Sequence, residues 1–257
     1  MLLAIDVGNT QLAVGMFDGE KLVGHWRFTT GVLTEDEMRW QVTGVLALDG
    51  FTPQDIEGVV MASVVPSVTT TLREVAPDLT HGGEVIVVEP GTKTGMPILI
   101  DNPREVGADR IVNAVAARER HGIPAIVVDF GTSTNFDVVS PEGAYIGGVI
   151  APGVEIATNA LVGGTAALRR VEFTTPRSPI GKGTVEAIQS GALYGHAGLV
   201  DGIVERISSE LDGDPVVIAT GGLSPTIVPH CRRVDTTDEY LTLEGLRLIY
   251  DMNLGGE

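Results

Sequence analysis

One short pattern occurs twice in this chain, once in each half: Ala4-Ile5-Asp6-Val7-Gly8-Asn9-Thr10 near the start and Val128-Asp129-Phe130-Gly131-Thr132-Ser133-Thr134 in the middle. Each copy is an apolar, β-branched run, Leu2 to Ile5 or Ala125 to Val128, that ends in an Asp followed by a Gly and small hydroxyl or amide residues. A second apolar run follows, Leu12 to Phe17 or Phe136 to Val139, and closes in a hairpin turn at Asp18-Gly19 or Glu142-Gly143. Gly19 and Gly143 lie equally far from Asp6 and Asp129 to within one residue, so the copies align. The residue types have a chemical reason. Gly8 and Gly131 let the backbone turn tightly and approach a phosphate, and the neighbouring amides and hydroxyls donate to its oxygens. An Asp at the strand end can hold a cation or its waters, as phosphoryl transfer requires. A single Asp-x-Gly-Thr is often only a β-turn with an Asx bond; its duplication marks a phosphate-handling fold.

At 257 residues the chain is long enough for two domains, and the repeat favours two. A net charge of −17 argues against nucleic acid as a partner, because phosphate backbones are bound through clustered Lys and Arg. Only three lysines are present, and Lys93 and Lys182 sit in Gly/Thr-rich loops. An anionic substrate drawn to so acidic a protein needs such local positive charge or a bound cation. Cys231 is the only cysteine, which excludes an intramolecular disulfide framework and fits a reducing compartment. No apolar run reaches the roughly 18 residues of a membrane span, and no basic-then-apolar leader opens the chain. The expectation is a soluble, cytoplasmic protein with no membrane partner.

Thr34-Glu35-Asp36-Glu37 is a capping box ahead of Met38, Val42, Val45 and Leu46, so a helix starts there. Val59 to Val65, ending at Pro66, and Val85 to Val88 read as buried strands, and Val106 to Arg120 as a helix with Asp109 and Arg110 in its first turn. Strands alternating with helices imply a mostly parallel sheet. A long helix is expected from about Thr184 to Leu211, carrying Gly191, Gly195, Gly198 and Gly202. That spacing allows a second helix to approach closely, either within the domain or from another subunit. Val216 to Ala219 then runs into Thr220-Gly221-Gly222, a loop suited to a nucleotide base or ribose. No low-complexity linker separates the halves, so domains 1–121 and 122–257 are expected to share an interface with a cleft.

With Asp6-Val7-Gly8-Asn9-Thr10, Gly107-Ala108-Asp109-Arg110, Asp129-Phe130-Gly131-Thr132 and Thr220-Gly221-Gly222 in this order, the chain resembles the type III pantothenate kinases, members of the acetate and sugar kinase, heat-shock chaperone and actin superfamily. Ala62 to Pro66, Pro90 to Gly95, Gly147 to Gly153 and Gly183 to Gly191 extend the likeness over nearly the whole chain. The two Asp-Gly loops and Thr-Gly-Gly identify only the superfamily, whereas Gly-Ala-Asp-Arg after Asn102-Pro103 is more specific. The resemblance implies an α/β fold of two tandem actin-like (ribonuclease-H-like) domains with a duplicated sheet. It implies ATP-dependent phosphorylation of pantothenate at its 4′-hydroxyl, the first step of coenzyme A synthesis. By the same resemblance Asp6, Val7, Gly8, Asn9, Thr10, Gln11, Leu12 and Ala13 bind ATP phosphates, with Asp6 holding magnesium or another divalent ion directly or through water. Asp129 takes part in a potassium or ammonium site, and Thr132, Gly221 and Gly222 contact ATP. Gly107, Ala108, Asp109 and Arg110 line the pantothenate pocket with Asp109 as general base, and Thr184 reaches that pocket across a homodimer interface. Two positions depart from the family pattern: Ile100 stands where many members have an aromatic residue, and Ser133-Thr134-Asn135 where Ala and two Thr are common.

Taken alone, an acid at the position of Asp109 is more often a favourable charge in the first turn of a helix. Its position beside Arg110, in a chain with two phosphate loops, favours the catalytic reading. Arg110 and Lys93 are candidates to pair with a substrate carboxylate. For Arg110, Val106 and Ala114 occupy the positions four residues away, so no intrahelical carboxylate partner is there. No Walker A sequence and no Gly-x-Gly-x-x-Gly after a strand is present, which removes the P-loop and Rossmann classes. Two other functions stay open at this stage: a different small-molecule kinase of the same superfamily, and a non-catalytic regulator of the accessory-factor type.

Overall fold

The computed structural model describes residues 1–164 and 171–254; residues 165–170 and 255–257, both inside the expected second domain, lie outside the described residues. Each half builds the same sheet. In the first, β1 (Leu2–Val7) pairs antiparallel with β2 (Gln11–Asp18), and β2 with β3 (Lys21–Thr29). On its other side β1 runs parallel to β4 (Gly58–Ser63), and β4 to β5 (Glu84–Val87), giving the order β3-β2-β1-β4-β5. In the second, β6 (Ala125–Phe130) is central, with β7 (Ser133–Val139) and β8 (Tyr145–Pro152) antiparallel on one side. On the other, β9 (Val216–Thr220) and β10 (Thr236–Thr237) run parallel, in the order β10-β9-β6-β7-β8.

The described helices are α1 (Glu35–Leu48), α2 (Pro66–Val75), α3 (Ala108–His121), α4 (Val154–Gly163), α5 (Thr184–Glu210), α6 (Ser224–Ile227) and α7 (Leu241–Leu254). Apart from their single Asp, β1 and β6 are apolar at every position, as strands covered on both faces must be. Met38, Val42 and Leu46 of α1 and Val68, Leu72 and Val75 of α2 form one core with Leu3, Ile5 and Val7 of β1. Helix α7 lies on the opposite face, where a Cβ at Gly15 would meet Leu243 at 2.9 Å. It also crosses α3 at Gly245, where a Cβ would lie 2.7 Å from Val112 Cγ1 and closer still to the Val112 carbonyl oxygen. That crossing fixes the helix that carries Asp109. In the second sheet Leu193, Ala197, Val200 and Val204 of α5 pack on Ile126, Val128, Phe130 and Phe136.

The capping box of α1 is present: Glu37 N–H donates to Thr34 Oγ1 (3.3 Å) and Thr34 N–H to Glu37 Oε2 (2.9 Å). Strand β4 stops at Ser63, not at Val65, because Pro66 opens α2 at a position where its missing N–H costs nothing. Ser63 Oγ accepts the Val65 N–H at 3.2 Å, so the strand end is satisfied locally. Helix α3 begins at Ala108, two residues later than its apolar pattern suggests, and the Gly107 carbonyl accepts from Arg110 N–H at 3.1 Å. Helices α2, α4, α6 and α7 have no counterpart in the sequence reading.

The chain forms two compact units, one of Met1–Pro97, Asp101–Ala116 and Leu241 onward, the other of Ile98–Ile100 and Ala117–Tyr240. A single cut after residue 121 separates the two sheets but leaves α7 with the wrong one, since α7 packs on β1, β2 and β4. No described helix is long and apolar enough to cross a membrane.

Candidate functional site

Both repeated loops join the central strand of a sheet to its antiparallel neighbour. Asp6 pairs with Ala13 and Val7 with Leu12, leaving Gly8 to Gln11 as the connection. Asp129 pairs with Asn135 and Phe130 with Thr134, leaving Gly131 to Ser133, one residue fewer. Each loop is closed by its glycine amide: Gly8 N–H donates to the Gln11 carbonyl and Gly131 N–H to the Ser133 carbonyl, both at 3.0 Å. A Cβ at Gly8 would stand 3.1 Å from that Gln11 oxygen, a tight contact that favours glycine there.

Val7 and Leu12 are buried in the first core, so they reach a ligand only through their backbone, while Asn9, Thr10 and Gln11 are exposed. Thr30, just past β3, clasps this loop: its Oγ1 donates to the Gly8 carbonyl at 2.7 Å and its N–H to the Thr10 carbonyl at 2.9 Å. Nothing in the local sequence marks Thr30 for this role.

Asp109 sits in the first turn of α3 within the same unit. Val64 N–H donates to the Val7 carbonyl at 3.1 Å, and a Cβ at Gly107 would lie 3.4 Å from Val64 Cγ1. The Gly107-to-Arg110 segment is therefore carried next to the end of β1, where the first loop begins. The same Cβ would collide with Asp109 Oδ1, so the carboxylate rests against the bare Gly107 and would have to shift if a side chain were added there. Burial raises the Asp109 pKa above its usual 3.8, against the Arg110 N–H, which donates to Asp109 Oδ1 at 2.9 Å, and the nearby Arg110 charge, which both lower it. Desolvation that raises a carboxylate's proton affinity makes it a stronger general base.

In the second unit, Gly131 and Thr132 are exposed at the end of β6, and Asp129 is partly buried beside them. Gly221, with φ of +89°, follows β9 and lies against Asp129: a Cβ there would be 2.5 Å from Asp129 Oδ1 and 2.7 Å from the Phe130 N and O. Gly222 is exposed next to it. Hydroxyls of the second loop serve the fold, and the two residues that depart from the family pattern, Ser133 and Asn135, bond each other. Thr134 Oγ1 is 2.8 Å from Nε2 of the buried His196 on α5, whose pKa burial lowers, and Ser133 Oγ donates to Asn135 Oδ1 at 2.9 Å. His196 had no role in the sequence reading.

Thr184 is exposed at the first position of α5. Gly191, Gly195 and Gly198 have open space where a Cβ would be, so no described part of the chain packs on this stripe. Of the two lysine loops, that of Lys93 is tied to α7 through Asn253, which accepts from Lys93 N–H at 3.2 Å and donates to its carbonyl at 2.9 Å. The Lys93 and Lys182 side chains are exposed.

Comparison with known proteins gives one family. The family model described as type III pantothenate kinase matches residues 2–206. A protein of that name from Streptomyces griseus is 52% identical over 99% of both chains. Among solved structures, component A of the (R)-2-hydroxyglutaryl-CoA dehydratase of Acidaminococcus fermentans aligns with a TM-score of 0.60 at 16% identity, covering 98% of each chain. The ROK hexokinase of Thermus thermophilus aligns with a TM-score of 0.51 at 14% identity, covering 96% of this chain and 97% of that one. At such identities these two likenesses concern the fold, the actin-like α/β arrangement with two five-stranded mixed sheets. The match over residues 2–206 and the identity along the full chain settle membership: this chain belongs to the type III pantothenate kinases.

Proposed function

We propose that this chain transfers the γ-phosphoryl group of ATP to the 4′-hydroxyl of pantothenate, the first step of coenzyme A synthesis. The observation that carries this reading is the full-length likeness to the pantothenate kinases, joined to a partly buried, proton-attracting Asp109 beside a phosphate-type loop. The hydroxyl oxygen bonds to the γ-phosphorus as the bond from that phosphorus to the ADP oxygen breaks, and Asp109 takes the hydroxyl proton. The exposed Asn9, Thr10 and Gln11 and the backbone from Asp6 to Ala13 donate to ATP phosphates. Thr132, Gly221 and Gly222 contact the nucleotide. Gly107, Ala108 and Arg110 line the pantothenate pocket, where Arg110 and Lys93 suit its carboxylate.

A kinase of this family uses ATP with a divalent cation, which when bound neutralises the phosphate charge. Among the described residues no three His, Cys, Asp or Glu side chains gather to hold a metal. Asp6, at the end of β1 where the first loop begins, is suited to a hydrated magnesium ion completed by phosphate oxygens, the ligand set magnesium prefers. Asp129, a partly buried carboxylate at the end of β6 beside the exposed Gly131 and Thr132, is suited to a monovalent cation. We assign that site to potassium or ammonium. We further propose a homodimer, with the open glycine face of α5 as the close contact and Thr184 at its end completing the neighbour's pantothenate pocket. Burial pushes the Cys231 thiol up to about 12, leaving it unreactive, and we place the enzyme in the cytoplasm.

The test is ADP release with and without pantothenate, in magnesium with potassium, ammonium or sodium. Release that needs pantothenate and is faster with potassium or ammonium supports the reading; equal release without pantothenate overturns it.

A further inference from the structure

Gly153 opens α4 as its N-cap, a position where Ser, Thr, Asp and Asn are favoured because their side chains satisfy the first helical amides. Its backbone, at φ −64° and ψ 154°, is open to any residue, so conformation does not require glycine here. What requires it is the second phosphate loop. A Cβ at Gly153 would lie 2.8 Å from the Gly131 carbonyl oxygen, 2.9 Å from the Thr132 carbonyl carbon and nearer still to the Thr132 oxygen. All three are backbone atoms that no side-chain rotation can clear. The preceding Pro152 pairs with Ser133, the last residue of that loop, so β8 delivers Gly153 to this spot. The chain has given up a capping side chain for close approach to two carbonyls.

We propose that Gly153 is a positioning residue for the second phosphate loop: by admitting the Gly131 and Thr132 carbonyls against the start of α4, it sets where Thr132 and Asp129 meet the nucleotide and the monovalent cation. This rests on the reading of that loop as a nucleotide site. Any larger residue displaces the loop by about 1 Å, a shift of the size that can cost up to about 10²-fold in a catalytic site.

The experiment compares Gly153→Ala with Gly153→Ser in steady-state kinetics. Serine restores a helix cap and alanine does not, yet both carry a Cβ. Both variants should raise the KM for ATP and the potassium concentration for half-activation by about tenfold, with the KM for pantothenate within about twofold of wild type. A Ser variant with wild-type ATP and potassium dependence, or two variants changed only in thermal stability, overturns the inference. Asp129→Asn is the control. If it too leaves ATP and potassium dependence unchanged, the loop is not a nucleotide site and the underlying reading fails; if only it alters them, the Gly153 inference alone fails. Should neither Gly153 variant fold, hydrogen exchange on the wild-type protein decides. ADP with potassium should slow exchange at Val154 to Ala157 together with Gly131 to Thr134, and protection of the loop without α4 overturns the inference.

Discussion

Replacing Asp109 by Asn separates a catalytic carboxylate from a structural one, because the two readings predict opposite signs of stability. As a favourable charge near a helix N-terminus, Asp109 would stabilise α3, and neutralising it would cost about 0.3–1 kcal/mol. The structure argues otherwise. Desolvation is the largest influence on Asp109 and raises its pKa above 3.8, which means that the folded state resists the charge. A carboxyl group with a raised folded pKa costs no stability below about pH 3.8, and its penalty grows as pH rises towards the folded pKa. Asn removes the charge while its Oδ1 still accepts the Arg110 N–H now 2.9 Å from Asp109 Oδ1; losing charge assistance there costs about 1 kcal/mol against the gain. The net expectation is higher stability at pH 7, with the difference vanishing in acid. Catalysis should move the other way. A general base contributes about 10² to 10⁴ in rate, or about 3–5 kcal/mol of barrier, so kcat should fall by that factor while the KM for ATP stays near wild type. A loose transition state, which needs little deprotonation, places the loss at the low end. The assays are thermal unfolding between pH 4 and 8 and steady-state kinetics on folded protein. Near-normal kcat together with a lower Tm would refute the reasoning.

Three further outcomes follow from named contacts. Gly107→Ala puts a Cβ where Asp109 Oδ1 lies, so kcat should fall at least about tenfold with the KM for ATP little changed; unchanged kinetics would show that the carboxylate relocates without consequence. Gly195→Leu fills open space on the α5 face, so the subunit should still fold but run as a monomer in light scattering, with Tm lowered only by the lost association; a folded dimer would remove this face from the interface. His196 is held neutral by burial, its pKa below 6.5, so the unfolded state binds more protons as pH drops through 6.5 and stability is lost there. His196→Gln should flatten the pH dependence of the unfolding free energy between pH 7.5 and 5 relative to wild type; an identical slope would contradict this.

The parts of the fold legible in the sequence are those set by local chemistry. Leu2 to Ile5 and Ala125 to Val128 are apolar without alternation, which only doubly covered strands tolerate, and Thr34 with Glu37 caps a helix within four residues. The family motifs led directly to Asp6, Asp109 and Asp129. What was not legible depends on distance in space. Helix α2 was hidden because Pro66 reads as a strand stop, although Val68, Leu72 and Val75 carry helical spacing. Helix α7 returns to the first sheet because Leu243 and Gly245 fit Gly15 and Val112, a complementarity that no window of neighbouring residues contains. Thr30, His196 and Gly153 support the two loops through partners 22, 62 and about 20 residues away, so their residue types carry no local mark. The motif marks Gly107 as a pocket residue, whereas the contact of the Asp109 carboxylate with its bare Cα depends on a side-chain placement that the motif does not carry.

The central claim is that this chain phosphorylates pantothenate on its 4′-hydroxyl, and the most direct test identifies the product. Purified protein with ATP, magnesium, potassium and pantothenate should yield one new phosphate monoester, seen by mass spectrometry as pantothenate plus one phosphoryl group. Its phosphorus should couple in NMR to the methylene protons at the 4′ carbon, with ADP formed in equal amount. ATP hydrolysis to free phosphate at the same rate with or without pantothenate, and no such ester, would contradict the account.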